Sequence, residues 1–167
     1  MIHGALVGFS RWLSATTLSN VIQTRHWIIP TLQTIHILCV AVLFSSVIIV
    51  DLRVLRILQR DAPLSSVADR FLPVVVPAVL VLLVTGSLLI IGEPRRALLN
   101  DTFYWKMGLL LLALMLTAWL GRSFRRTFRE SDGGGAQYGA WLAAALSVLA
   151  WCGVLFAGRW IAYTQVG

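Results

Sequence analysis

Four stretches of this 167-residue chain are long enough to cross a bilayer and carry almost no charge. Ile28 to Val50, Phe71 to Gly92 and Ala140 to Gly158 contain no charged residue, and Phe103 to Leu120 contains only Lys106. A helix rises about 1.5 Å per residue and the hydrocarbon core is about 30 Å thick, so roughly 20 apolar residues span it. The runs are continuously apolar rather than alternating, which selects helices over a transmembrane barrel. Composition agrees: 58% of residues are hydrophobic and 13% charged, against about a quarter charged in soluble domains. A soluble domain of this length has too little interior to hide so much apolar surface. The expected fold is all-α, an integral membrane four-helix bundle with an amphipathic N-terminal interfacial helix. It forms one domain, 1–167, with spans at about 28–50, 71–92, 103–120 and 140–161 and the interfacial helix within 1–24.

The segments between the runs carry turn signals. Asp61-Ala62-Pro63 breaks the first connection, Glu93-Pro94 ends the second run, and Gly133-Gly134-Gly135 gives a flexible stretch before the fourth. Arg53, Arg56, Arg60 and Arg70 flank the first connection, and Arg122, Arg125, Arg126 and Arg129 the third. The opposite side holds Arg11, Arg25, Arg95, Arg96, Lys106 and Arg159, so the eight arginines of the two compact loops place those loops in the cytoplasm. Both termini then lie outside a bacterial inner membrane. The net charge of +7 reflects flanks that attract anionic lipid. Arginines that cap apolar spans do not form the single basic face that nucleic acid requires. Leu6, Phe9, Trp12, Leu13 and Leu18 suggest an amphipathic helix in the outer interface. Trp27, Tyr104, Trp105, Trp160 and Tyr163 fall at outer span ends, as an aromatic belt does.

Polar side chains inside a span are expensive and invite a functional reading. His36 lies eight residues into the first run, about 12 Å below its end. A neutral imidazole ligates heme iron, copper or zinc and relays protons; a hydrogen bond to a neighbouring helix is the bland alternative. Cys39 sits one turn from His36, and Met115 and Cys152 reach a similar depth in the third and fourth spans. Imidazole, thiolate and thioether together suit Cu(I), although Cys and Met are also ordinary apolar filler. Nearer the outer surface, Glu93, Lys106 and Arg159 fall at three span ends above His36. They suit an anionic head group, heme propionates or a carboxylate substrate, unless the cations simply snorkel to the interface. Met107 directly follows Lys106, so His36 and Met107 form a conceivable axial pair for heme. At the inner end, Asp51 faces the unfavourable end of the helix dipole, and an ion pair with Arg53, or with an arginine of the other cytoplasmic loop, is the expected compensation. The chain contains no Gly-rich phosphate loop, CxxC, CxxCH, HExxH or GxSxG.

Four segments carry a resemblance: Trp27 to His36 (WIIPTLQTIH), Val50-Asp51-Leu52-Arg53, Phe103-Tyr104-Trp105-Lys106-Met107, and Ala157 to Tyr163 (AGRWIAY). As a set the chain resembles a family of small bacterial four-helix membrane proteins of unknown function. It is distantly similar to the membrane part of copper-resistance D proteins. The resemblance implies the four-helix fold and directs attention to His36, Asp51, Arg53, Lys106 and Arg159. The chain departs from the family pattern at Cys39 and at Ser45-Ser46, where small residues are expected.

The leading functional expectation is a redox-associated, electron-transfer membrane protein that binds heme b or a copper ion through His36. The alternatives are a non-catalytic accessory subunit of a larger membrane complex, a homo-oligomeric module or a small-molecule permease. An intramembrane enzyme using His36 as acid or base lacks a carboxylate at the same depth.

Overall fold

A computed structural model describes residues 2–58, 64–127 and 134–160. The apolar runs become four long helices: α3 (Ile28–Val54), α4 (Leu64–Gly92), α6 (Asp101–Thr127) and α7 (Gly134–Trp160). All four are long and apolar enough to cross a membrane. They are longer than the runs that announced them, chiefly at the arginine-rich ends. An apolar run marks the hydrocarbon thickness, whereas helical hydrogen bonding continues into the head-group layer. At 27–29 residues each, the helices are about 40–44 Å long, close to the full bilayer with its interfaces. Gly134 and Gly135 are already helical, at the start of α7. The Asp61-Ala62-Pro63 break, Gly133 and Tyr163 lie outside the described residues.

α3 ends in a Schellman cap. The Ile57 N–H bonds the Leu52 carbonyl at 2.9 Å and the Arg56 N–H bonds that of Arg53 at 3.1 Å. Arg56 takes the left-handed conformation, φ 58°, that glycine usually supplies there. Pro73 and Pro77 lie inside α4, so the carbonyls of Asp69 and Pro73 lose their usual intrahelical donors. At the other end of α4, Glu93 breaks the chain, and Pro94 opens the short helix α5 (Pro94–Leu98) from the first helical turn. Asn100 then caps α6, its Oδ1 accepting the Thr102 N–H at 3.0 Å.

The helices form two antiparallel hairpins, α3–α4 and α6–α7, packed closely within each pair and more sparsely across the seam between them. Two apolar layers bridge that seam. One joins Leu43, Val47 and Ala78 to Ala113, Ala150 and Trp151. The other joins Val50, Val67 and Ala68 to Leu120, Ala143 and Ala144. The remaining apolar side chains, such as Val76, Leu80, Leu83 and Leu112, point outward, as expected for helices whose solvent is lipid. Trp27, Tyr104, Trp105 and Trp160 are exposed at one end of the bundle, and Trp119, Tyr138 and Trp141 at the other. The second belt, on the arginine-rich side, was not foreseen.

The N-terminal segment is two helices rather than one, α1 (Ile2–Ser14) and α2 (Thr17–Thr24). Thr16 separates them and caps α2 by accepting the Ser19 N–H at 3.3 Å. α1 keeps an exposed aromatic face, with Phe9 stacked on Trp12 at 5.7 Å. α2 instead docks on the end of α4. Ser19 Oγ donates to the Ile91 carbonyl at 2.7 Å and Gln23 Nε2 to that of Gly92 at 3.0 Å. These bonds satisfy carbonyls that a helix C terminus leaves without partners. Ile22 packs so closely that a Cβ on Gly92 would lie 2.8 Å from its Cγ2. Ile22 is buried and β-branched, so it yields little. Gly92→Ala is therefore expected to lower stability in detergent by about 1–3 kcal/mol, and Ile22→Ala in the same chain to recover part of that loss. Additive effects in a thermal-denaturation cycle would show that the contact does not bind α2 to α4.

Candidate functional site

Two polar pairs inside the spans are held in matching arrangements, one in each hairpin. In the first, His36 Nδ1 of α3 lies 2.8 Å from Thr85 Oγ1 of α4. Thr85 Oγ1 donates in turn to the Val81 carbonyl one turn back, at 2.8 Å. In the second, Trp151 Nε1 of α7 donates to Thr117 Oγ1 of α6 at 3.3 Å, and Thr117 donates to the Ala113 carbonyl at 2.9 Å. In each, a ring nitrogen meets a threonine on the partner helix whose hydroxyl also reaches a backbone carbonyl one turn back.

The two differ in what they leave over. A Thr85 hydroxyl that donates to Nδ1 corresponds to one tautomer; with its proton given to the Val81 carbonyl instead, Thr85 accepts from His36 and Nδ1 carries the ring proton. The neutral ring then keeps the lone pair of Nε2. Tryptophan has no second ring nitrogen, so the second arrangement is complete in itself. The first leaves one ring nitrogen outside the pair.

Lys106 belongs to the other hairpin. Its Nζ lies 3.5 Å, and its Cε 3.6 Å, from where a Cβ would stand on Gly158. The lysine stem thus lies against the last turns of α7, at a distance where a Cβ would be in ordinary contact. The side chain is half-buried. Gly86, next to Thr85, flanks the ring: a Cβ there would meet His36 Cε1 at 3.5 Å. His36, Thr85 and Gly86 thus gather in one hairpin, and Lys106 and Gly158 in the other. Arg159 follows Gly158 on the same turn.

The other expected ligands are distributed differently. Met107 is 36% exposed. Successive residues are turned by about 100° around a helix, so it is Lys106 that turns toward Gly158. Met115 is 58% exposed and Cys152 is exposed as well, on outward surfaces of α6 and α7. Cys39 is half-buried, one turn from His36. Among the described residues, no three His, Cys, Asp or Glu side chains gather as a metal-holding group. Glu93 is taken by Arg96 in an exposed ion pair at 3.1 Å.

At the opposite end of the seam, Asp51 is 1% exposed. The residue that faces it is Ser147 of α7, fully buried, in place of the expected pairing with Arg53. Two positions apart on a helix, Asp51 and Arg53 point to different faces. The alignment of the two groups is imperfect: Asp51 Oδ2 and Ser147 Oγ both lack a hydrogen-bond partner among the described residues. Thr85, Gly86, Gly158 and Ser147 were missed from sequence. Thr85 and Ser147, as polar residues inside apolar runs, carried the same signal that singled out His36.

Fold and site define a helical membrane protein with a histidine fixed across one hairpin and a lysine presented by the other. Residues 9–164 match the model of the family of unknown function DUF6644, and the chain belongs to that family. No curated protein and no solved structure matches it.

Proposed function

We propose that the protein is a redox-associated membrane protein that binds heme b through Nε2 of His36. The observation that carries this reading is the His36–Thr85–Val81 chain. Metal-bound histidines commonly donate their second ring N–H to a fixed acceptor, which sets the tautomer and the ring plane, and Thr85 is that acceptor. The heme would supply one-electron chemistry. The residues of this chain would hold the ring, keep Nε2 unprotonated and offer a cation at the seam from Lys106, with Arg159 close by.

A copper ion at His36 is the second reading, favoured by Cys39 one turn away. It draws less support, because Met115 and Cys152 face outward. Should no cofactor bind, the accessory-subunit or permease reading takes over, for which the outward apolar surfaces of α4 and α6 would serve as partner or lipid contacts. Homo-oligomerisation belongs to the same reading.

The test is the visible spectrum and metal content of protein purified in detergent. The wild type is expected to be coloured, with a Soret band, and His36→Ala to lose the pigment while remaining inserted. Thr85→Val is expected to weaken cofactor retention by about 10–100-fold, and Met107→Leu to leave it unchanged. Stoichiometric copper without colour, lost in Cys39→Ser, would select copper; a colourless, metal-free protein would remove both cofactors.

We also propose that the arginine-rich ends of the spans lie in the cytoplasm and both chain termini outside. Cysteines introduced near Arg56 and at Ser131 should then react only from the cytoplasmic side, and those at Asp101 and Gln165 only from outside. The reverse pattern would invert the bundle.

A further inference from the structure

Where the N-terminal helices and α5 meet the ends of the spans, the surface opens into a cleft of about 420 Å³. Its lining includes Ser14 of α1, Gln23 of α2, Ile29 of α3, and Glu93, Arg95 and Arg96. That volume is in the range of small-molecule sites. Ile29 and Gly92, which also lines the cleft, stand at the ends of two candidate spans, Ile28–Val54 and Ser66–Gly92. Trp27 is exposed at the same end, as a residue of the aromatic belt is. The cleft therefore lies where hydrocarbon gives way to head groups. Its walls are held in place. Ser19 and Gln23 bond the Ile91 and Gly92 carbonyls at 2.7 and 3.0 Å, Pro94 is buried in the first turn of α5, and α1 packs on α5. Arg96 donates to Glu93 at 3.1 Å. Two guanidinium groups against one carboxylate leave the lining with an excess of one positive charge. A guanidinium meets phosphate oxygens with two parallel N–H donors. On α1, Phe9 and Trp12 are exposed and stacked at 5.7 Å, an apolar face suited to the edge of the acyl layer.

We propose that this cleft binds the phosphodiester head group of an anionic phospholipid, with Arg95 and Arg96 on the phosphate and the acyl chains passing Ile29 into the hydrocarbon layer. The site is separate from His36 and does not depend on the cofactor reading. A lipid fits because it joins a phosphate to apolar chains, and the cleft joins arginines to the end of a span. The single excess charge matches one phosphodiester. A choline head group would bring a further cation to the same arginines, which repel it. Arg95 is the principal contact, because Arg96 is shared with Glu93. A lipid bound there would touch α1, α2, α3 and α5 together and tie the N-terminal helices to the bundle.

The experiment titrates delipidated protein in an uncharged detergent with phosphatidylglycerol and with phosphatidylcholine of the same acyl chains, and reads bound lipid by native mass spectrometry. The wild type is expected to bind phosphatidylglycerol at least about tenfold more tightly, the range of a hydrogen bond to a charged group. Arg95→Gln should lose most of that preference and Arg95→Lys should keep part of it. Arg95 is exposed, so neither change disturbs packing. Arg25 is also exposed, at the end of α2 and outside the cleft lining, and Arg25→Gln should leave the preference unchanged. Equal affinities in the wild type, a preference that survives Arg95→Gln combined with Arg96→Gln, or an equal loss in Arg25→Gln would overturn the proposal and reduce these arginines to a diffuse surface charge. Displacement of the bound lipid by millimolar inorganic phosphate would also overturn it, assigning the cleft to a free phosphate.

Discussion

Hydrocarbon offers no hydrogen-bond partner, so each polar group inside the four spans must be satisfied by the protein. The chain meets this constraint twice with one device. A ring nitrogen pairs with a threonine hydroxyl on the neighbouring helix, and that hydroxyl lies in hydrogen-bond reach of the carbonyl one turn back. Threonine suits this position because its single proton is used locally while its lone pairs remain for the incoming ring. Interhelical bonds of this kind contribute about 0.6 kcal/mol on average, and up to about 1.7. Their larger effect is to fix helix rotation. With rotation fixed, the lone pair of His36 has a defined direction.

The hairpin is therefore the unit of construction, and the seam is where function can reside. Apolar layers close the middle of the seam, from Leu43 and Trp151 down to Val50 and Ala144. Its two ends are polar. Toward one lie the His36–Thr85 pair in the first hairpin and Lys106 beside Gly158 in the second. At the other, Asp51 confronts Ser147, with an oxygen on each side lacking a hydrogen-bond partner among the described residues. The short helix α2 holds the first of these ends by closing off the carbonyls of Ile91 and Gly92. A tryptophan suffices where only a tether is needed, as Trp151 shows; a histidine in the equivalent role retains a second nitrogen.

The spans were legible in the sequence because hydrocarbon thickness imposes a length on any apolar run. His36 was legible because an ionisable group there is costly. Helix rotation was not legible. The low amphipathicity of lipid-facing helices removes the periodicity that marks a core face in soluble bundles, so depth alone grouped Met115 and Cys152 with His36. In the structure these two side chains point outward. Lys106 and Met107 were equally eligible until the glycine at position 158 and the exposure of Met107 separated them. Ser19 and Gln23 carried no signal in the sequence, and the end of α4 gives them partners.

The central claim is that His36 is a neutral ring with its proton on Nδ1 and its lone pair on Nε2. Nitrogen-15 magnetic resonance of histidine-labelled, pigment-free protein tests this directly. The chain has three histidines, and the His36 signals are those lost in His36→Ala. The account predicts a protonated Nδ1 resonance and an unprotonated Nε2 resonance at neutral pH, with Thr85→Val shifting the balance toward the other tautomer. A proton on Nε2 in the wild type, with Nδ1 as the bare nitrogen, would contradict it.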